Sequence, residues 1–229
     1  KGKRYFPLLD YSKQTASSDT KYVKINFMAY PKPPSISKGE INRAGNALVK
    51  DEENQYAQSI LSQWRGCHAY PINTFQDTLR DKEERKGLKN VIIAQRIKRM
   101  PTIIDKLKRY SDMNLSQMQD IGGLRVVVDS IKNVRQIEDS YIIKSKFSRS
   151  QHRLVREKDY ILTPRSEDGY RSLHLIYSYK NRLAPEYENL MLELQIRTNL
   201  QHNWATAVET MGIYLNQPLK SRMGEKEWI

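Results

Sequence analysis

Residues 189–198, NLMLELQIRT, contain an alternation of apolar and polar side chains, regular from Leu192 to Arg197, that is typical of a half-buried β-strand. The apolar row consists of Leu190, Leu192, Leu194 and Ile196, and the polar part of the opposite row consists of Glu193, Gln195 and Arg197. The pattern predicts a sheet with one face on a core. The other face is either an ordinary solvated surface or the wall of a binding site.

Further strands are predicted on both sides of this segment. Residues 173–179, LHLIYSY, precede it, and the apolar run at 123–128, GLRVVV, is typical of a central strand buried on two sides. The segment that begins VIIAQRI at Val91 predicts another strand, followed by a helix from near Thr102. Helices are also expected over 131–143 and 199–215. This order predicts an α+β fold, a mixed sheet flanked by helices.

The first third of the chain predicts helices. Ser37 and Glu40 have the spacing of a capping box, and a second helix follows with its apolar residues on one face, namely Ala57, Ile60, Leu61 and Trp64. A third helix is expected from a cap pattern at Asn73 to about Arg85, whereas residues 22–28 alternate weakly, as in an edge strand. We therefore expect a mainly helical region over 1–89 and a second domain over 90–229. In the last helix, the expected core side chains are Trp204, Val208, Met211 and Leu215.

The stretch 158–174, KDYILTPRSEDGYRSLH, combines cations with an aromatic ring. We expect a basic loop up to Arg156, a short apolar strand after Lys158 and a turn at Gly169, beside Tyr170. Five cations occur within nineteen residues: Arg153, Arg156, Lys158, Arg165 and Arg171. Phosphates pair with fixed cations and a base stacks on a ring, so the stretch suits a nucleotide. A solvated basic hairpin is the alternative.

Two further features concern phosphate and metal. Arg96, Lys98 and Arg99 precede the helix expected near Thr102, where free amide groups suit a phosphate, although a solvated basic turn has the same composition. Asp120 and Glu193 are carboxylates at strand positions, and Mg²⁺ prefers such oxygen ligands together with substrate phosphates. The alternative interpretation of Asp120 is a loop carboxylate that caps a neighbouring group. The four histidines lack a zinc spacing, and the sequence has no P-loop, Rossmann or nucleophile-elbow motif.

The overall charge favours a polyanionic partner. Lysine and arginine number 39 against 26 acidic residues, a net charge of +13. Such an excess of positive charge is typical of proteins that bind nucleic acid or nucleotides. The alternative is that the charge only keeps the protein soluble. The single cysteine, Cys67, cannot form an internal disulfide, and no apolar run approaches the roughly 20 residues of a membrane helix. We expect a cytoplasmic protein without a membrane partner.

Five motifs, in order, resemble those of a known family. They are Arg96-x-Lys98-x-x-x-Thr102-Ile103, Asp120 before GLRVVV, Lys158-Asp159-Tyr160-Ile161, Gly169-Tyr170-Arg171-Ser172-Leu173-His174 and Glu193-Leu194-Gln195-Ile196-Arg197-Thr198. Over residues 90–212 the chain resembles the synthetase domain of RelA/SpoT-type (p)ppGpp synthetases. The resemblance implies a nucleotidyltransferase-like fold and transfer of pyrophosphate from ATP to a ribose 3′-hydroxyl, with Mg²⁺.

The resemblance also implies roles for individual residues. Glu193 would be the catalytic glutamate and Asp120 a metal ligand, both holding Mg²⁺. The ATP-binding residues would be Arg96, Lys98, Arg125 and Lys158. The acceptor-binding residues would be Tyr170, which stacks on the acceptor base, with Arg165, His174, Gln195 and Arg197.

Departures from the family pattern concern the acceptor. Pro164-Arg165 stands where the family usually has Pro-Lys, the loop to Gly169 is one residue longer, and QHNWATAVE replaces a pattern with an acidic residue followed by histidine. No HD-type hydrolase motif occurs in the preceding part, so a hydrolase half is not expected.

The amino-terminal segments SKGEINRAGNAL and WRGCHAYPINTFQDTLR resemble toxic small alarmone synthetases of toxin–antitoxin and phage-defence systems. That branch implies as acceptor either the tRNA 3′ CCA end, which the charge favours, or a free purine nucleotide that yields ppGpp, pppGpp or ppApp. It also implies an antitoxin or phage-protein partner. The alternatives outside this class are a catalytically silent RNA- or partner-binding module and, less well supported, a metal-dependent nuclease.

Overall fold

The computed structural model describes residues 30–85, 87–147, 152–166 and 168–215. The edge strand expected over 22–28 lies outside these residues. The helices are α1 Lys38–Lys50, α2 Gln55–Gly66, α3 Ala69–Arg85, α4 Met100–Arg109, α5 Ile131–Phe147 and α6 Asn199–Tyr214. The strands are β1 Ile92–Ile97, β2 Gly122–Val128, β3 Arg153–Asp159, β4 Leu173–Ser178 and β5 Met191–Thr198.

The five strands form one mixed sheet in the order β1-β2-β5-β4-β3. β2 and β5 are parallel neighbours, and the other three pairs are antiparallel. The expected α+β class is therefore confirmed. GLRVVV is an interior strand, as its apolar run predicts.

The alternation in β5 places the core on one face of the sheet. Leu192, Leu194 and Ile196 are at most 3% exposed and belong to the apolar core, whereas Glu193 and Gln195 on the opposite face are only partly buried. Helices α3 and α5 contact the strands of the sheet and contribute to that core. The opposite, polar face is thereby left for the functional side chains.

The helices α1 to α3 confirm the helical character expected for the first third. Oγ of Ser37 accepts a hydrogen bond from the amide of Glu40, as the cap pattern predicts. α1 packs against α4, and Leu48, Leu61 and Leu107 share one core with the sheet. The division at residues 89 and 90 stays a prediction.

Three local expectations are wrong. α3 begins at Ala69 rather than Asn73, because Pro71 lies in the first helical turn, where a missing amide hydrogen has little cost. The basic segment after His152 is strand β3, and Tyr160 and Ile161 lie in the turn that follows it. An edge strand needs few apolar residues, so its sequence lacks the usual signal.

The third error concerns the last helix. α6 has no buried residue, and Trp204 and Met211, expected in the core, are 54% and 45% exposed. The physical reason is the direction of α6, which begins at the end of β5 and runs beside the polar face. The indole Nε1 of Trp204 donates to the carbonyl of Asp168 at 3.1 Å, so this side chain contacts the loop before β4 rather than the core.

Candidate active site

Glu193 is held from two sides on the polar face of the sheet. Nδ1 of His174 lies 2.8 Å from its Oε1, and the Gln195 amide donates to its Oε2 at 2.8 Å. His174 lies opposite Gln195 in the β4–β5 register, which brings its ring diagonally across to Glu193. Both carboxylate oxygens therefore have fixed directions, and each retains a lone pair for a substrate group.

Tyr170 is connected to Glu193 through the same histidine. Its hydroxyl lies 2.8 Å from Nε2 of His174. When Nδ1–H donates to Glu193, the neutral ring accepts at Nε2 from the phenol. Burial raises the pKa of Tyr170, so the phenol stays protonated at neutral pH and can donate. The structure thus brings three predicted site residues into one hydrogen-bonded chain.

Asp120 forms the centre of a second cluster, just before β2. Nζ of Lys98 lies 2.9 Å from its Oδ2, and Nζ of Lys106 lies 2.8 Å from its Oδ1. The Lys98 side chain is only 11% exposed. Burial alone would raise the pKa of Asp120, but the two ammonium groups outweigh it and bring the pKa to about 2. Asp120 is therefore ionised over the whole physiological range.

The two carboxylates lie at the same end of the parallel pair β2–β5. Gly123 pairs with Glu193, and Asp120 is three residues before Gly123. Burial raises the pKa of Glu193, and the negative charge of Asp120 adds to this, but contacts with His174 and Gln195 bring the pKa below its usual value. Two ionised carboxylates thus lie within electrostatic range of each other.

This donor set fits Mg²⁺ bound together with a phosphate. No cluster of three or more histidine, cysteine or acidic side chains suited to a metal occurs among the described residues. Mg²⁺, however, commonly takes one or two carboxylates and completes its shell with water and substrate phosphate. Asp120 and Glu193 are the residues that would hold it. The ion would neutralise phosphate charge when bound.

Two arginines extend the polar face toward α6. Nη2 of Arg125 on β2 donates weakly to Oε1 of Gln195 at 3.4 Å. Arg197, at the end of β5, is 2% exposed, and its Nη2 donates to Nδ1 of His202 at 2.6 Å. Burial lowers the pKa of Arg197 to about 10, and the nearby charge of Arg125 adds to this. Both side chains still carry a positive charge at neutral pH.

The loop between β3 and β4 places Arg165 over the ring of Tyr170. The guanidinium carbon lies 4.6 Å from the ring centroid, and Arg165 also forms an ion pair with Asp168. Gly169 has a φ of +61°, a conformation that glycine adopts without strain, and it brings Tyr170 back toward the sheet. The aromatic ring and the cation predicted for this loop are therefore adjacent.

Arg96 and Lys158 lie on opposite edges of the sheet. Arg96 is an exposed residue of β1 and pairs with Gly123 of β2, three residues after Asp120. Lys158 is exposed on β3 and pairs with His174. Four strand spacings separate the two edges, roughly 19 Å. The ATP-binding role of each residue stays a prediction.

Sequence reasoning missed three residues at this site. Lys106 contacts Asp120, His202 contacts Arg197, and Asp168 holds Arg165. Lys106 follows Thr102 by four residues, so the helical period places both on one face of α4 and was an available signal. The His202 contact depends on the direction of α6, which the sequence did not indicate.

Comparison with known proteins identifies the family. The family model described as "Region found in RelA / SpoT proteins" matches residues 95–218, more than half of the chain. The matched range contains every candidate site residue named above. The chain belongs to this family.

Two curated relatives and one solved structure are similar to this chain. The GTP pyrophosphokinase YjbM of Bacillus subtilis is 30% identical over 116 residues, 50% of this chain and 52% of that protein. GTP pyrophosphokinase YwaC of the same species is 30% identical over 139 residues, 57% and 62% of the two chains. The crystal structure of small alarmone synthetase 2 from Bacillus subtilis has a TM-score of 0.56 at 27% identity and covers 65% of this chain and 78% of that one.

The chain thus spans between about half and three fifths of the length of the curated relatives that it matches. In the part of the chain that the structure describes, no helix has the length and apolar character that crossing a membrane requires.

Proposed function

We propose that this protein is an ATP-dependent pyrophosphokinase that transfers the β,γ-pyrophosphate of ATP to a ribose 3′-hydroxyl. The observation that carries the proposal is the position of Glu193 between two groups: the Asp120–Lys98–Lys106 cluster on one side and Tyr170, through His174, on the other. Family membership and the names of the relatives support the same reaction class.

The proposed step needs no covalent intermediate on the protein. The 3′-oxygen attacks the β-phosphorus of ATP, the bond from that phosphorus to the α,β-bridging oxygen breaks, and AMP leaves with that oxygen. Glu193 accepts a hydrogen bond from the attacking hydroxyl, orients it and receives its proton. Such transfers depend mainly on positioning and on neutralising charge. Lys98 and Lys106, now paired with Asp120, are the cations nearest to the carboxylates that would hold Mg²⁺.

For the acceptor we propose the 3′ CCA end of tRNA, so that the protein would inhibit translation as a toxin. The net charge of +13 and the exposed cations of β3 support a long polyanion. Tyr170 would stack on the terminal adenine. An antitoxin or a phage protein would control such a toxin, and a cytoplasmic location follows from the substrate.

A free purine nucleotide is the second candidate acceptor. The relatives YjbM and YwaC are both named GTP pyrophosphokinases, and this supports synthesis of an alarmone such as ppGpp or pppGpp. The two candidates use the same donor cluster and the same glutamate. The two acceptors differ in the part of the molecule beyond the ribose that receives the pyrophosphate.

One labelling experiment tests both levels of the proposal. ATP labelled in the β- or γ-phosphate is incubated with the protein and either deacylated tRNA, tRNA without its terminal adenosine, or GDP, GTP and AMP. We expect label on intact tRNA only. Label found only on free nucleotides would contradict tRNA as the acceptor and would support alarmone synthesis. If no acceptor takes up label and no AMP appears, the pyrophosphokinase proposal is wrong.

A further inference from the structure

The β3–β4 loop, residues 160–172, is long for a connection between antiparallel neighbours. Hairpin loops usually have two to five residues. Leu162 in this loop is 76% exposed, so burial of its side chain does little to hold the loop. The same loop carries Arg165 and Tyr170, the cation and the ring of the candidate site. Polar contacts therefore have a large part in fixing its shape.

Asp159, the last residue of β3, holds the first turn of this loop. Its Oδ1 accepts hydrogen bonds from the amides of Ile161 at 2.9 Å and Leu162 at 3.0 Å. Its main-chain carbonyl accepts from the amide of Thr163 at 3.1 Å. Three successive amides thus converge on one residue, and the direction in which the chain leaves β3 depends on the position of that residue.

Arg135 on α5 contacts the other carboxylate oxygen of Asp159. Its Nη1 lies 2.6 Å from Oδ2 of Asp159 and 2.8 Å from Oε2 of Glu138. The side chains of Asp159 and Glu138 are only 14% and 13% exposed. Burial raises the pKa of Asp159, but the hydrogen bonds from Arg135 and from the amides of Leu162 and Ile161 outweigh it and lower the pKa. Asp159 is therefore ionised at neutral pH, with both oxygens in contacts.

The contact between Arg135 and Asp159 is made on the core side of the sheet. Side chains alternate along β3, so Lys158 shares the polar face with its partner His174, whereas Asp159 pairs with the core residue Leu173. α5 packs on the core face. This helix therefore reaches the start of the β3–β4 loop from the side opposite to the candidate site.

We propose that Arg135 is a positioning residue, which fixes the β3–β4 loop through Asp159 and thereby places Arg165 and Tyr170 for the acceptor. The inference rests on the proposed function, in which Tyr170 stacks on the acceptor base. Arg135 lies on the other face of the sheet and acts only through the loop. A small displacement caused far from the chemistry can be costly, because the reacting groups have to meet in a narrow geometry.

Three variants on α5 test this role. Arg135→Met removes the guanidinium but keeps an unbranched side chain. Arg135→Lys keeps a cation, and because both contacts of Arg135 come from the single nitrogen Nη1, one ammonium group can replace them. Glu138→Gln removes the charge of the second partner and leaves the contact with Asp159. The matched control is Arg109→Met, because Arg109 is also 29% exposed and pairs with an aspartate, but within its own helix α4.

The kinetic measurement compares the KM values of the two substrates, with deacylated tRNA as acceptor, or GDP if only free nucleotides take up label. Arg135→Met should raise the acceptor KM by about fivefold or more and leave the KM for ATP unchanged. Arg135→Lys should recover most of this loss, and Glu138→Gln and Arg109→Met should resemble the wild type. A merely structural role would reduce the folded fraction, and so the apparent kcat and the melting temperature, without changing either KM.

A second measurement does not need activity. Hydrogen exchange, followed by NMR, reports the protection of the amides of Ile161 and Leu162, which donate to Asp159, and of Tyr170, which donates to Asp168. In Arg135→Met these three amides should lose protection, whereas the amides within β4 should keep it. Arg109→Met should leave the whole pattern unchanged.

These results separate failure of the positioning role from failure of the proposed function. In an active enzyme, an acceptor KM that Arg135→Met does not change, or that Arg109→Met raises equally, overturns the positioning role. A wild type that transfers no pyrophosphate, with a loop that loses protection in Arg135→Met, refutes the pyrophosphokinase and leaves the positioning of the loop by Arg135 standing. Without activity and without a change in exchange, both proposals are wrong.

Discussion

Nδ1 of His174 lies 2.8 Å from Oε1 of Glu193, and the two side chains come from neighbouring antiparallel strands. Because both are mostly buried, at 12% and 16% side-chain exposure, the contact fixes the direction of the carboxylate without help from solvent. The other nitrogen of the same ring contacts Tyr170. A change on the acceptor side can therefore alter the position of the proposed proton acceptor.

The first prediction concerns the charge of Glu193. Glu193→Gln keeps the shape and the contact with His174 but removes the proton acceptor, so turnover should fall by about 10²- to 10⁴-fold. The melting temperature should change little. Labelled-ATP turnover and thermal unfolding measure the two effects.

The matched control is Glu186→Gln, which removes a carboxylate from an exposed pair with Lys32 and should leave turnover unchanged. A Glu193→Gln variant that keeps full turnover, or that still arrests growth when expressed, would favour a binding module over an enzyme.

The second prediction separates the ring of Tyr170 from its hydroxyl. Tyr170→Ala removes the stacking surface and should raise the acceptor KM by about 5- to 150-fold, corresponding to roughly 1–3 kcal/mol. Tyr170→Phe keeps the ring, breaks the contact with His174 and should mainly lower kcat. Tyr110, an exposed tyrosine that also has an arginine near its ring, provides the control Tyr110→Ala. Equal KM values for Tyr170→Ala and the wild type would contradict the stacking of Tyr170 on the acceptor base.

The sequence predicts the segments whose secondary structure follows from burial, and it fails for segments whose structure or direction depends on tertiary contacts. Alternation in β5 and helical spacing in α2 are consequences of burial, and both agree with the structure. Strand β3 is on an edge and is mostly exposed, so it has no apolar period to detect. Trp204 has the spacing of a core residue but contacts a loop, because α6 lies beside the polar face, where its His202 also contacts Arg197.

The candidate site follows the same rule. The motifs predicted one site containing Asp120, Glu193, His174 and Tyr170. The structure brings these residues together because they lie on or beside adjacent strands. Lys106 and His202 contact the site from helices, and the contacts depend on packing that no single motif encodes.

The third prediction concerns Asp120 and its two lysines. Asp120→Asn leaves the buried Lys98 without its counter-charge and should lower the free energy of unfolding by about 3 kcal/mol. The folded pKa of about 2 is below the ordinary value of 3.8, so Asp120 stabilises the fold above about pH 4, and this contribution is lost as pH falls from about 4 to 2. Urea unfolding at a series of pH values should show that slope in the wild type and a shallower one in the variant. Identical slopes would contradict the ion-pair account.

The fourth prediction concerns His68, which is 1% exposed and has no role in the site. Its Nδ1–H donates to the carbonyl of Trp64 at 2.8 Å, and burial lowers its pKa from 6.5 to about 4. The unfolded chain binds the proton more readily, so stability is complete above about pH 6.5 and is lost as pH falls toward 4, by at most about 3 kcal/mol. His68→Gln keeps a donor and should flatten this part of the urea-unfolding profile. Partial burial and the nearby charges of Arg197 and Arg125 also lower the pKa of His202, and His202→Asn measures its separate contribution. A wild-type profile that is flat between pH 7 and 4.5 would mean that folding does not lower the pKa of His68.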